Sequence, residues 1–446
     1  MVAAMNDTDT DSVSENILAT GLPARRASLR ILNAVLAKSR PLDEALESDA
    51  TLKSLPKRDR AFVRLLTATV LRRLGQVDEI INRFLTREPA GNAVAVRNIL
   101  RLATVQLLFL ETPAHAAVGT AVDLAEAERL TRYKGLINAV LRNVVKAGPA
   151  ALPQQDPARL NTPDWLWDSW CGAYGATTAR TIALTHLGEA SLDLSVKEAP
   201  RDWSSRLDGV ALPWGSVRLK QGGDVTALPG FHDGGWWVQD AAAALPALLL
   251  GDIKGKHVID LCAAPGGKTA QLAAEGARVT AVDRSANRMK RLSENMERLG
   301  LPVDTIVSDA VEWQLDEPAD AVLIDAPCSG TGTLRRHPDI ARVKTQADVA
   351  KLAVLQEKIL IHAASLVKPG GLLVYATCSL QPEEGPDIVG AVLETGAPLD
   401  LVPIEAGELP GLGDDAIVDG CLRTHPGLFD RKGGLDGFFA ARFRRQ

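Results

Sequence analysis

Two cysteines stand at the ends of apolar runs: Cys328 in "VLIDAPCSG" (Val322–Gly330) and Cys378 in "LLVYATCSL" (Leu372–Leu380). The 446-residue chain has only five cysteines. A thiolate attacks soft electrophiles and also leaves well, so two thiols where buried strands reach the surface point to transient covalent chemistry. A free thiol with a pKa near ~8.5 is mostly protonated at neutral pH, and such a site must therefore stabilise the thiolate. Asp260, Asp283, Asp309 and Asp325 likewise close short apolar, β-branched runs. One acid at a strand end is ordinary turn chemistry. Four of them, followed by Cys378, point to one cleft at the carboxyl edge of a sheet. A cleft this acidic suits a ligand bearing cationic or hydroxyl groups.

The first of these acids opens "DLCAAPGGKT", Asp260–Thr269. Gly266 and Gly267 remove side chains that would hold a ligand off the backbone, and the helix that follows offers free N–H groups to an anion. A phosphate loop would need glycine at Cys262, and the dinucleotide pattern G-x-G-x-x-G is absent. S-adenosylmethionine fits better: its carboxylate suits the glycine loop, its ribose hydroxyls Asp283, its adenine amino group Asp309. The competing reading is that Asp283 and Asp309 only cap the segments "RSANRMKRL" and "AVEWQL".

These residues need a parallel sheet to position them. From Gly235 onward "HVIDLC", "RVTAVD", "DTIVSD", "DAVLIDAPC" and "GLLVYATC" alternate with helical segments, the pattern of an α/β, Rossmann-like doubly wound sheet over residues 236–446. Residues 23–147 carry apolar positions at three- and four-residue spacing between prolines, which predicts an all-α bundle. Between Leu22 and Arg73 twelve Lys/Arg face five Asp/Glu, a candidate RNA-facing surface against the plainer reading of solvated helix faces. Residues 148–164 read as a Pro-rich linker and 165–235 as a small α+β subdomain whose Trp165, Trp167 and Trp170 are core.

Charge and cysteine content narrow the function classes. A net charge of −5 neither requires nor forbids nucleic acid. Five scattered cysteines without a two-residue pair argue against a disulfide framework or a zinc site and fit a reducing cytosol. Residues 1–22 are acidic and polar, which predicts a disordered tail rather than a secretory signal. The run "AVAVRNILRLATVQLLFL" is broken by Arg97 and Arg101 and predicts a buried helix, not a membrane span.

"DLCAAPGGKT", "VLIDAPCSGTGTLRRHPDI", "LLVYATCSLQPEEG" and "GGLDGFFAARF" together resemble the signature motifs of the Nop/Sun family of RNA cytosine-C5 methyltransferases, and "YKGLINAVLRNVV" is similar to the NusB-like domain. The resemblance implies that Cys262, Ala263, Ala264, Pro265, Gly266, Gly267 and Lys268, with Asp283, Asp309 and Asp325, line the S-adenosylmethionine site. It implies that Cys378 is the nucleophile and Cys328 assists product release. The fused helical domain implies bacterial 16S ribosomal RNA as partner, in the cytoplasm, for a monomeric chain needing neither metal nor membrane. Gly385 stands where the family often has Asn, and "LDLSVKEAP" replaces its usual Arg-Val-Asn.

The chemistry agrees. Carbon 5 of cytosine is a poor nucleophile until a thiolate adds to carbon 6, and Asp325 is a candidate to meet the ring's N3 side. The base must lie in a loop or be flipped out of its stack. Alternatives are a cytosine-C5 methyltransferase acting on transfer RNA or DNA, with Cys328 as the DNA-type nucleophile, or a non-enzymatic ribosome-assembly factor.

Overall fold

The computed structural model describes residues 21–85, 93–220, 222–429 and 432–446. The tail expected over residues 1–22 lies outside this set except for Gly21 and Leu22, where the first helix starts. The chain divides into two compact units, 21–167 with His337–Val343, and Asp168–Arg336 with Lys344–Gln446.

The first unit is helical. Its main helices, Leu22–Lys38, Lys57–Arg72, Leu74–Phe84, Ala93–Leu108, Ala114–Ala127 and Lys134–Ala151, bury one apolar stripe each. Ile31, Leu66, Ile80, Ile99 and Leu141 meet in the shared core. Arg97 and Arg101 stay within a buried helix because both turn onto Asp78, at 3.2 and 2.6 Å. Among the described residues no helix is long and apolar enough to cross a membrane.

One expectation fails here. The segment 148–164 is not an open linker: the helix runs on through Pro149 to Ala151, and Pro157–Asn161 forms another capped by Asp156. Asn161 is buried, accepting from the Gln76 backbone N–H at 3.1 Å and donating to its side-chain oxygen at 3.0 Å. Proline at N1 of the short helix starts rather than breaks it. The basic stretch is partly turned onto its own unit, while Arg26, Lys38, Arg40, Lys53, Lys57, Arg58 and Arg60 are exposed. Arg25 lies over the Phe62 ring, Arg30 pairs with Asp49, Arg64 pairs with Asp43, and Arg72 is buried.

The unit also takes in His337–Val343 from the "RRHPDIARV" motif. Asp339 accepts from the Leu42 N–H at 2.9 Å, His337 meets Asp43 at 3.3 Å, and Arg342 donates to the Asn161 carbonyl at 2.7 Å. No periodicity announces this grouping.

The second unit holds two sheets. The smaller contains β1 (Asp193–Val196), β2 (Gly209–Ala211), β3 (Ser216–Leu219) and β4 (Trp236–Val238), antiparallel in the order β2-β3-β1-β4. Trp170 is core, fully buried, its indole N–H donating to Gln381 at 3.0 Å, whereas Trp165 and Trp167 are only half-buried.

The larger sheet contains β5 (His257–Leu261), β6 (Arg278–Asp283), β7 (Val303–Val307), β8 (Ala319–Asp325), β9 (Val367–Thr377), β10 (Leu399–Leu401), β11 (Ile417–Val418), β12 (Cys421–Arg423) and β13 (Phe439–Arg445). Its order is β11-β12-β13-β9-β8-β5-β6-β7, with β10 on β13. The run from β7 to β9 is parallel, as the apolar segments predict, and β13 is antiparallel to β9. "AVEWQL" forms a turn rather than a helix.

Gly75 tests the docking of the expected linker. A Cβ there would lie 1.7 Å from the Leu160 carbonyl oxygen. Gly75→Ala is expected to cost about 1–3 kcal/mol in urea unfolding, in line with overpacking elsewhere, and to speed proteolysis near Leu160. Unchanged stability and cleavage would contradict the packed arrangement.

Candidate active site

Strands β8 and β9 are hydrogen-bonded neighbours in register, Ile324 opposite Tyr375 and Asp325 opposite Ala376. Their loops therefore leave the sheet side by side. The Ala326 N–H donates to the Ala376 carbonyl at 2.9 Å, and the Gly332 N–H to the Cys378 carbonyl at 3.0 Å. Cys328 and Cys378 come together, Sγ to Sγ 3.3 Å, both half-buried and both free thiols. The hydrogen bond that Cys328 shares with Cys378, and then burial, push the Cys328 thiol well above its ordinary range. Cys328 is thus held protonated beside its partner.

Gly332 is required by close approach, because a Cβ would stand 2.0 Å from the Gly437 oxygen. This brings the "GGLDGFF" stretch alongside, with Phe438 beneath the Lys268 ammonium at 5.0 Å. Lys268 is buried and pairs with Asp325 at 2.8 Å, while the Asp325 side chain remains about a third exposed (36%). The acid expected among acids alone has a cation against it.

The glycine loop follows β5. Gly266 has φ +102°, and a Cβ there would lie 2.8 Å from Leu292 Cγ. Gly267 is less constrained, its nearest neighbour for a Cβ being Gln239 at 3.6 Å. The sequence reading treated the two glycines alike; packing demands only the first. The helix Gly267–Ala274 begins without a side-chain cap. Cys262, at φ +60°, has its thiol pushed up to about 12 by burial and by Asp283.

Asp283 accepts from the Ala264 N–H at 3.2 Å and the Ser285 N–H at 2.9 Å, with Arg288 at 3.3 Å. It is not the helix cap; Ser285 fills that place. Asp309 does accept from the Val311 N–H at 3.0 Å, so the local-turn reading holds for one of its oxygens. A half-open pocket of about 470 Å³, mouth included, is lined by Cys262, Asp283, Arg288, Asp309, Pro327 and Ile359 among others. Its apolar wall, with Pro327 and Ile359, and its fixed Asp283 carboxylate suit a group with a flat ring and hydroxyls, as an adenosyl group has. Of the residues expected around the cofactor, this pocket gathers Cys262, Asp283 and Asp309; Ala263, Ala264, Pro265, Gly266, Gly267, Lys268 and Asp325 do not line it. Arg288 escaped notice because its helical segment reads as an ordinary amphipathic helix.

Two further groups were missed. Glu384 is fully buried and accepts from Ser329 and Gln356 N–H groups at 2.8 and 3.2 Å. Its only sequence signal is the Cys-Ser dipeptide that occurs in both loops. Arg335 and Arg336 both pair with Asp436, at 3.0 and 2.9 Å, and Arg336 also pairs with Asp240. These partners lie about a hundred residues and more apart, beyond any local pattern.

Asp260 is fully buried. Burial pushes its carboxyl up to about 7 despite a 2.6 Å bond from the Thr269 hydroxyl. The folded state therefore keeps a proton that the unfolded chain releases near pH ~3.9, and stability falls as pH rises from there through the folded value. Asp260→Asn is expected to flatten that decline, which at full linkage is roughly 4 kcal/mol. An unchanged slope in urea titrations between pH 4 and 7 would contradict it.

Cys328 gives a second test. At pH 8 it is expected to resist iodoacetamide, and Cys378→Ala, which removes the bond that raises its thiol, should speed its alkylation. Peptide mass spectrometry reads both, and a slower Cys328 in the variant would contradict the assignment.

Comparison with known proteins now adds to the geometry. The 16S rRNA methyltransferase RsmB/F family matches residues 247–444, and the NusB family matches residues 22–146. A ribosomal RNA small subunit methyltransferase B of Erwinia tasmaniensis is 35% identical over 420 residues, covering 89% of this chain and 93% of its own. The crystal structure of PH0851 shares the fold, with a TM-score of 0.74, 23% identity, and 94% and 99% of the two chains covered. A methyltransferase homolog protein from Pyrococcus horikoshii aligns with a TM-score of 0.54 at 27% identity, over 63% of this chain and 94% of that one. With its two cysteines paired at the sheet's carboxyl edge and likeness along nearly its whole length, the chain belongs to the ribosomal RNA small subunit methyltransferase B family.

Proposed function

We propose that the chain methylates carbon 5 of a cytosine in 16S ribosomal RNA through a transient bond between Cys378 Sγ and carbon 6 of the base. As a member of its family it is an S-adenosylmethionine-dependent ribosomal RNA methyltransferase. When bound, the cofactor supplies an electrophilic methyl group on a sulfonium centre. The observation that carries the proposal is the 3.3 Å pairing of two half-buried thiols, one of them held neutral.

Cys378 Sγ, as thiolate, adds to carbon 6, and the electron pair of the C5–C6 double bond moves to carbon 5, which would take the methyl group while the S–CH3 pair stays on the cofactor sulfur as a neutral thioether. Carbon 5 then gives its proton to water, the C–H pair restores the C5–C6 double bond, and the C6–Sγ bond breaks with its pair on the Cys378 sulfur. The protonated Cys328 can donate its S–H to the departing Cys378 sulfur, which stabilises the leaving group. A neutral thiol is poorly suited to initiate the attack itself. The assignment of attack to Cys378 over the DNA-type alternative is supported by the Thr-Cys motif, while the geometry places both sulfurs together. Asp325, with the Lys268 ammonium paired to it, is the polar group offered to the N3 side of the ring, where charge builds during addition.

Asp283 is the acceptor for ribose hydroxyls, its geometry set by two backbone N–H groups. Asp309 is assigned to the adenine edge and the Cys262–Lys268 loop to the amino-acid end. The proposed organisation is a helical NusB-like RNA-binding domain over 23–147, a pre-catalytic subdomain over 165–235 and the catalytic domain over 236–446, acting in the cytoplasm as a monomer.

Cys378→Ala is expected to abolish methylation and covalent trapping of RNA. Cys328→Ala should instead accumulate a protein–RNA band that survives denaturing gels. Accumulation in the Cys378 variant would reverse the two roles. Bisulfite mapping of a strain lacking the gene should show one 16S cytosine unmethylated; a lost site in transfer RNA alone would refute the substrate.

A further inference from the structure

The loops that carry the two cysteines share a feature that the covalent chemistry does not use. Each cysteine is followed by a serine, and both serines reach the same buried carboxylate. The Ser329 N–H donates to Glu384 Oε1 at 2.8 Å, and the Ser329 and Ser379 hydroxyls both donate to Oε2 at 2.5 Å. Gln356 donates to Oε1 at 3.2 Å and to the Pro327 carbonyl at 2.9 Å, reaching the residue just before Cys328. The Glu384 carbonyl accepts from Tyr375 and Thr377 at 2.9 and 3.1 Å, which ties it to the end of β9. Thr331 bridges the same loops, accepting from the Leu380 N–H at 3.0 Å. Glu384 itself is fully buried and does not line the cofactor pocket.

We propose that Glu384 is a positioning residue that clamps the Pro-Cys and Thr-Cys loops together through Ser329 and Ser379, and so sets the distance between the two sulfurs. The physical reason is the number of donors. Two N–H groups and two hydroxyls converge on one side chain, and a buried donor left without an acceptor costs more than the bond it makes is worth. Without an acceptor between them, the loops must separate or admit water, and the sulfurs move with them. A carboxylate accepts all four donors at once. A glutamine would keep an acceptor for the N–H pair, and its NH₂ could donate to the hydroxyls once they rotate. The arrangement therefore depends on shape and hydrogen bonding rather than on charge.

The catalytic part of this inference rests on the reading of Cys378 as nucleophile; the positional part does not. Dibromobimane, which becomes fluorescent on bridging two nearby thiols, measures the sulfur separation without any methyl transfer. The full-length wild type is expected to yield a Cys328–Cys378 bridge, because alkylation of Cys378 by the first arm removes the bond that holds the Cys328 proton and the tethered second arm then lies beside it. Glu384→Ala should lose most of the bridging and about a hundredfold in kcat, the scale of a misplaced reacting group, with KM for S-adenosylmethionine within about twofold. Glu384→Gln should restore most of both.

Wild-type bridging and turnover in Glu384→Ala would overturn the proposal. So would a Glu384→Gln variant as impaired as alanine, since that would make charge the operative property. If Glu384→Ala does not fold, Ser329→Ala and Ser379→Ala replace it: each should reduce bridging, and no change in either would overturn the clamp. If bridging falls as expected while Cys378→Ala still methylates RNA, the clamp stands and the catalytic reading fails.

Discussion

The parallel pairing of β8 with β9 is the constraint from which the rest of the site follows. Once Asp325 lies opposite Ala376, the two loops must leave the same edge in adjacent positions. Two thiols fifty residues apart in sequence are then brought to 3.3 Å. Backbone bonds between the loops, the close approach of Gly332 to Gly437 and the Glu384 cluster all act on that one geometry. Each is buried, where hydrogen bonds are strong and an unmet donor is costly.

Two thiols this close can divide the work when one of them keeps its proton. Cys328 is held neutral by its partner, its burial and the acids nearby. A neutral thiol that can donate beside a sulfur that must arrive and leave is a reasonable division of labour for addition and elimination at a pyrimidine. Lys268 complicates the acidic cleft inferred from the strand ends. It places a buried cation against Asp325, so the site is a mixed-charge surface where negative charge developing on a ring can be met.

Much of this was legible in the residues. Short β-branched runs ending in Asp260, Asp283, Asp325 and Cys378 do form neighbouring strands, because a strand buried on both faces has few other sequence patterns available. That Cys328 and Cys378 leave the same edge followed from the same logic; that their sulfurs meet did not. What escaped was non-local or satisfied by burial. Residues 148–164 looked like a linker because proline and polar residues dominate, yet Asn161 is buried by its exchange with Gln76 across eighty-five positions. His337–Val343 carries too few apolar residues to announce where it packs. Glu384 reads as one half of a surface Glu-Glu pair, and only tertiary structure shows which of the two is buried. Charge counting also could not tell which cations of the 22–73 stretch are engaged within their own unit, as Arg25, Arg30 and Arg64 are.

The central claim is that the sulfur of Cys378, and not that of Cys328, bonds to the base. The most direct measurement is peptide mapping of the wild-type enzyme trapped on RNA containing 5-azacytidine at the target position. After digestion of protein and RNA, the modified nucleotide should be found on the peptide that contains Cys378. Finding it on the Cys328 peptide would contradict the claim.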